Sequence, residues 1–182
     1  MNNWENDRIR LRGLEPADAE TFYTWHNTDS EMARNLDFLW MPSSLAAVRS
    51  WIDGRIKQGV ENDEIYCVIE TISGDFVGMI NSHHCDSRIG SFQYGVAIHR
   101  DHQRRGYAAE AICIFVRYFF EELRYQKVTV AVHGFNEASL RLHEALGFQL
   151  EGRLRRTLYT NGRYHDQLFY GMTKDEFKEK YQ

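Results

Sequence analysis

Cysteine is scarce in this chain: Cys67, Cys85 and Cys113 are its three thiols in 182 residues. Three scattered cysteines make neither a disulfide framework nor a cysteine-based metal site, and they point to a reducing, cytoplasmic setting. Long apolar runs are missing too. None approaches the ~18 residues of a membrane span, and the polar opening Met1-Asn2-Asn3-Trp4-Glu5-Asn6-Asp7 does not read as a signal peptide. A basic excess is also lacking: 22 Lys and Arg stand against 26 Asp and Glu, for a net charge of −4, which argues against a nucleic-acid partner. There is no low-complexity tract, internal repeat or linker. What remains is an ordinary globular composition, 43% hydrophobic and 26% charged, long enough to bury a core and read as one domain over residues 1–182.

The charge is unevenly spread. Residues 15–64 hold ten acids (Glu15, Asp18, Glu20, Asp29, Glu31, Asp37, Asp53, Glu61, Asp63, Glu64) and only four bases, −6 locally. Two readings stay open, a solvated pair of helices and an acidic rim that attracts a cationic substrate.

Periodicity gives the elements. Arg8-Ile9-Arg10-Leu11-Arg12 alternates as a first strand. Pro16 suits the start of a helix running to about Asn27. Residues 28–42 read as irregular but rich in large apolar groups, which either pack on the core or wall a substrate pocket. Ser43 or Ser44 caps a helix with Leu45, Val48, Ile52 and Ile56 on one face, and Gly59 stops it. An antiparallel meander follows, Ile65 to Ile72, Phe76 to about His83, and Gly90 to Ile98. The helix after Gly106 is apolar on nearly every side, so it should be buried along with Cys113. Val128 to Val132 reads as a central strand, and Asn136 to Leu146 as a helix ended by Gly147. The strands Leu150 to about Thr160 and Tyr164 to Met172 flank the hairpin turn Asn161-Gly162. Thr173-Lys174-Asp175-Glu176 fits a capping box that opens a last helix. This order predicts an α/β domain with a mixed, mostly antiparallel sheet flanked by helices.

The chemistry gathers in the run from Val96 to Ala111. A strand leads through a basic, glycine-containing turn into a long helix. Such a turn aims unpaired backbone N–H groups at one spot, with the positive end of the helix dipole behind them. Arg104 and Arg105 add positive charge, and Gly106 lets the backbone approach a ligand closely. Something carrying phosphate is expected there.

The spelling Gln103-Arg104-Arg105-Gly106-Tyr107-Ala108 resembles the Q/R-x-x-G-x-G/A pyrophosphate loop of the GNAT superfamily of acyl-CoA-dependent N-acyltransferases. Downstream, Asn136-Glu137-Ala138-Ser139-Leu140-Arg141-Leu142-His143-Glu144-Ala145-Leu146-Gly147-Phe148 resembles the N-x-x-S/A-x-x-L-Y-x-K-x-G-F segment of the same superfamily. Residues 151–155 and 161–166 look like the RimJ/RimL-type branch of ribosomal-protein N-terminal acetyltransferases, and nearly as much like bacterial polyamine N-acetyltransferases. The resemblance implies a GNAT fold and acetyl-CoA as the acetyl donor. It implies cofactor contacts from Gln103, Arg104, Arg105, Gly106, Tyr107 and Ala108, from the strand edge Val96, Ala97 and Ile98, and from Asn136 and Ser139. Asn136 also reads as a helix N-cap. A homodimer is an expectation of the same kind.

Two departures from the family pattern matter. Where many relatives place a Tyr that protonates the leaving thiolate, this chain has His143. An imidazole can serve as that acid, or His143 can merely line the cofactor channel. Where polyamine acetylators often carry a Glu, the chain reads Ser91-Phe92-Gln93-Tyr94, without a carboxylate. His83 and His84 are the remaining candidate bases, acting through water, or are ordinary strand-end histidines. With Cys85 and Asp86 they also resemble metal ligands, but neighbours on a strand point to opposite faces, so no metal is expected.

A magnitude separates the substrates. Deprotonating a lysine-like amine (pKa ~10.4) at pH 7 costs about 4.6 kcal/mol, against about 1 kcal/mol for an α-amine. A site without an obvious carboxylate base therefore favours an N-terminal α-amine of a protein or peptide. A polyamine or other small amine is the alternative, and a non-catalytic acyl-CoA-binding module the rival from another class.

Overall fold

The computed structural model describes residues 2–35 and 42–182. Its elements run β1 (Ile9–Gly13), α1 (Asp18–Thr28), α2 (Ser30–Asn35), α3 (Leu45–Gln58), β2 (Tyr66–Thr71), β3 (Phe76–Asp86) and β4 (Ser91–Ile98). A single 3-10 turn (Arg100–His102) leads into α4 (Tyr107–Glu121), β5 (Lys127–His133), α5 (Glu137–Leu146), β6 (Gln149–Thr160), β7 (Arg163–Thr173) and α6 (Lys174–Tyr181). The strand order is β1-β2-β3-β4-β5-β7-β6. The β4–β5 pair is parallel and the β1–β2, β2–β3, β5–β7 and β6–β7 pairs are antiparallel. The expected mixed, mostly antiparallel α/β sheet is what the chain forms.

Two compact units divide the chain, Met1–His83 with Gly95–Phe115, and His84–Tyr94 with Val116–Gln182. In the first, Ala19, Phe22, Val48, Ile52 and Val68 build a core between α1, α3 and β2. Beside it Trp25 and Met32 pack with Ala97. β3 and β4 lie so close that a Cβ on Gly78 would sit 2.1 Å from the Ala97 carbonyl oxygen, so only glycine fits there. In the second unit Phe92 stacks on Phe119, with ring centroids 4.0 Å apart. Tyr125 meets both rings edge-on, at 5.3 and 5.2 Å.

Local signals hold at the helix ends. Ser44 caps α3, its hydroxyl accepting from the Ala47 N–H at 3.2 Å. The capping box of α6 is complete, Thr173 accepting from the Glu176 N–H and the Glu176 carboxylate from the Thr173 N–H. The segment read as irregular over residues 28–42 is corrected in part: Ser30–Asn35 is helical, because Asp29 accepts from the Met32 N–H at 3.0 Å and supplies an N-terminal cap. Residues 36–41 of that segment, with Asp37, Phe38, Leu39, Trp40 and Met41, lie outside the described residues. Cys113 is half-buried, not buried, although Ile112, Ile114, Phe115 and Val116 around it are inside.

The hairpin β6–β7 is the most exposed sheet region. Leu150, Leu154, Tyr159 and Tyr164 are each about half exposed or more. Its register shifts twice, between Leu150 and Gly152 and again between Leu154 and Leu158. At the second shift Arg156 has φ 57° and its N–H is held by Asp166 at 2.9 Å.

Candidate active site

The predicted residues fall into two sets. His83, Val96, Ala97, Ile98 and Gln103–Ala108 belong to the first unit; His84, Asn136, Ser139 and His143 belong to the second.

In the first unit, β4 runs out at Ile98 and the chain makes its 3-10 turn before entering α4. His99 opens that turn, its Nδ1 accepting from the Asp101 N–H at 3.3 Å. Gln103 closes the loop by donating from its amide to the Ile98 carbonyl at 3.1 Å. Arg104 (φ 61°) and Gly106 (φ 87°) both stand in the left-handed region, which alternates the direction of successive peptides into an anion-binding concavity. Among the described residues, no acceptor engages the N–H groups of Arg104, Arg105, Gly106, Tyr107 or Ala108. Five such donors in a row at the positive end of a fifteen-residue helix fit a diphosphate.

The surroundings of this loop are fixed by charge. Asp29 is buried at 4% exposure and receives both the Nε and an Nη of Arg100, at 3.2 and 3.1 Å. Burial pushes the Asp29 carboxyl up, but the Met32 N–H and Arg100 outweigh it and hold it below the usual carboxylate range. Close by, the Trp25 indole is 1% exposed, near His99 (ring centroids 5.9 Å). Its N–H has no acceptor among the described residues.

In the second unit the parallel ladder from β4 to β5 covers Ser91↔Lys127, Phe92↔Val128 and Gln93↔Thr129. Asn136 caps α5, its side-chain carbonyl accepting from the Ser139 N–H at 3.1 Å. His143, one turn further on, is 1% exposed. Its Nδ1 lies 2.7 Å from the Ser139 carbonyl oxygen and 3.3 Å from the Ser139 hydroxyl. A carbonyl can only accept, so Nδ1 carries the proton and Nε2 keeps its lone pair. The Tyr94 phenol, 2.7 Å from Nε2, then donates to it. Burial lowers the His143 pKa below its ordinary value, and the Ser139 carbonyl offsets this only in part. His143 is thus a neutral acceptor behind a phenol, that of Tyr94, itself 2% exposed, a partner that the loop motif did not reveal.

His83 is half-buried and His84 exposed. His84 has φ 50°, so strict strand alternation does not apply to it. Among the described residues no three His, Cys, Asp or Glu side chains gather as a metal site, and no helix is long and apolar enough to cross a membrane.

The acetyltransferase (GNAT) domain family matches residues 8–149, from β1 through the loop and α5 to the start of β6. The chain is 38% identical to the SPbeta prophage-derived uncharacterized N-acetyltransferase YokL of Bacillus subtilis, over 96% of this chain and 95% of that one. It is 31% identical to a B. subtilis protein named "Putative ribosomal N-acetyltransferase YdaF", over 95% of each. A crystal structure of spermidine N-acetyltransferase from Vibrio cholerae, in complex with CoA and spermine, superposes with a TM-score of 0.82 over 95% of this chain and 99% of that one. At 22% identity that likeness bears on fold alone.

Proposed function

The chain belongs to the GNAT acetyltransferase family and is an enzyme that acetylates; from that premise we propose that it moves an acetyl group from acetyl-CoA directly to the N-terminal α-amine of a protein or peptide. Residues 1–182 work as one N-acetyltransferase domain in this reading. The observation that carries it is the loop Gln103–Ala108, whose five N–H groups have no acceptor among the described residues and, with two arginines, suit the diphosphate of coenzyme A. When bound, acetyl-CoA supplies the acetyl group as a thioester.

The chain's own residues then do the following. The loop N–H groups and the charges of Arg104 and Arg105 hold the diphosphate. The strand end Val96, Ala97 and Ile98 takes the pantetheine arm by backbone pairing, as an added strand. The Asn136 cap uses only the side-chain oxygen, which leaves its amide N–H groups for the cofactor, with Ser139 beside it. Proton traffic runs through Tyr94. Its phenol donates its one proton to His143 Nε2, so the phenol oxygen takes the proton of the attacking amine as the phenolic proton passes to the imidazole. His83 and His84 are the further candidate bases, acting through water.

Direct transfer is favoured over an acyl-enzyme. The Cys67 thiol is buried and pushed up to about 12 by desolvation, far from a thiolate at neutral pH.

The ribosomal name of YdaF and the low cost of deprotonating an α-amine support a peptide N-terminus. The acidity of residues 15–64 favours the second reading, a polyamine. Part of that acidity is already spent, since Asp18 is paired with Arg12, Glu20 with Arg49 and Asp29 with Arg100. The test is acetyl-CoA-dependent thiol release with peptides bearing free or blocked N-termini, spermidine and amino sugars. Turnover on free N-termini that vanishes on blocking is expected. Preferred turnover of spermidine would overturn the peptide reading, and acetyl-CoA binding without turnover on any amine would favour a binding module.

A further inference from the structure

Arg8, at the entrance to β1, reaches across to the loop and makes three contacts there. One guanidinium nitrogen donates to the Arg105 carbonyl at 2.8 Å. Another pairs with the Glu110 carboxylate in the first turn of α4. The guanidinium carbon stands 4.8 Å over the Tyr107 ring. Asn6 donates to the other Glu110 oxygen at 2.9 Å, and its own side-chain oxygen accepts from the Arg8 and Ile9 N–H groups, each at 2.9 Å. The arm before β1 is thereby tied to the loop at both ends of the Arg8 side chain.

Peptide geometry gives these contacts a consequence. Among the described residues no peptide bond is cis, and in a trans peptide the C=O and N–H point in opposite directions. The carbonyl of Arg105 belongs to the same peptide plane as the Gly106 N–H. Holding that carbonyl from one side aims the Gly106 donor at the other. This matters because Gly106, at one end of the plane, and Arg104, one residue before its other end, stand in left-handed conformations, which for Arg104 cost energy that the surroundings must offset. Charge adds a second effect. Glu110 sits where an anion is to be bound, and Arg8 neutralises it.

We propose that Arg8 is the positioning residue of the coenzyme A diphosphate loop. It aims the Gly106 N–H and cancels the repulsion of Glu110, without itself touching the ligand. This rests on the acetyl-CoA reading above.

The experiment is calorimetric titration of the full chain with coenzyme A, and with pantetheine, which lacks the diphosphate. Arg8→Met, Arg8→Lys and Arg8→Met/Glu110→Gln are compared with the native chain. Loss of a charge-assisted hydrogen bond should weaken coenzyme A binding in Arg8→Met roughly tenfold or more, with pantetheine affinity unchanged within about twofold. Removing Glu110 as well should recover part of that loss. Arg8→Lys keeps the charge without the planar fork and should fall between native and Arg8→Met; it also serves if Arg8→Met does not fold. Equal weakening for both ligands, or no weakening for coenzyme A, overturns the inference while leaving the acetyl-CoA reading intact. A native chain that does not bind coenzyme A overturns both.

Discussion

A buried phenol and a buried imidazole joined at 2.7 Å form a unit, and units respond to mutation differently from independent groups. Tyr94→Phe keeps the ring that packs against Phe148 and removes only the hydroxyl. We expect kcat to fall about a hundredfold with the Michaelis constant for acetyl-CoA little changed. Folding stability should drop by about 1–3 kcal/mol because His143 Nε2 is left buried without a donor. His143→Phe should cost a similar factor in kcat, and the double variant should be no worse than either single one. Multiplying losses in steady-state kinetics would break the pair into separate contributors. At this scale the sequence was legible where backbone chemistry dictates the residue: the spelling around Gly106 announces a left-handed donor loop. It was silent on Arg8 and Tyr94. Their partners lie 97 and 102 residues away for Arg8, and 49 for Tyr94, and no local period records such pairings.

Helix α2 depends on one carboxylate for both its start and its attachment. Asp29 caps it through the Met32 N–H and holds Arg100 ahead of the loop. Asn is as good a cap as Asp but cannot make the ion pair. Asp29→Asn should therefore cost about 1 kcal/mol and Asp29→Ala about 2 kcal/mol, read as shifts of the urea midpoint. No loss in Asp29→Asn would mean that Arg100 contributes nothing, and equal losses in the two variants would mean that the cap contributes nothing. The elements with strong end signals were readable in advance, α3 from Ser44 and Gly59, α5 from Asn136 and Gly147, and α6 from Thr173 and Glu176. α2 was not, because six residues give too little periodicity for its cap at Asp29 to stand out. β3 likewise runs on to Asp86, past the histidines where its apolar alternation fades.

For the molecule as a whole, acid should act in two stages. Burial lowers the His26 pKa from its ordinary 6.5 to about 4, and His143 is lowered by the same cause. Between those values the unfolded chain binds protons that the folded chain refuses. Stability therefore rises with pH across that window and is lost as pH falls from about 6.5 toward 4. Below it the carboxylates take over. Asp18 and Glu70 are pushed up by burial but held low overall by Arg12, with Arg10 assisting at Glu70, and their stabilisation disappears only as they too are protonated. His26→Gln should flatten the first stage and leave the second, in melting temperatures recorded from pH 7 to 3. An unchanged slope between pH 6.5 and 4 would remove His26 from the account. The α/β architecture was legible from hydrophobic periodicity and from two motifs in order. The acceptor amine was not, because its identity depends on the shape and charge of surfaces assembled from distant segments.

The outer strand β6 has a meaning for concentrated solution. A bare sheet edge offers its backbone to any neighbour, and half-exposed Leu150 and Leu154 would make the offer attractive. The twofold register slip and the left-handed Arg156 interrupt that edge, and the charges of Arg153, Arg155 and Arg156 crowd the interruption. A second chain arriving edge-on finds no straight run of donors and acceptors to match. The same irregularity that makes this hairpin look untidy leaves an arriving copy no regular ladder to extend.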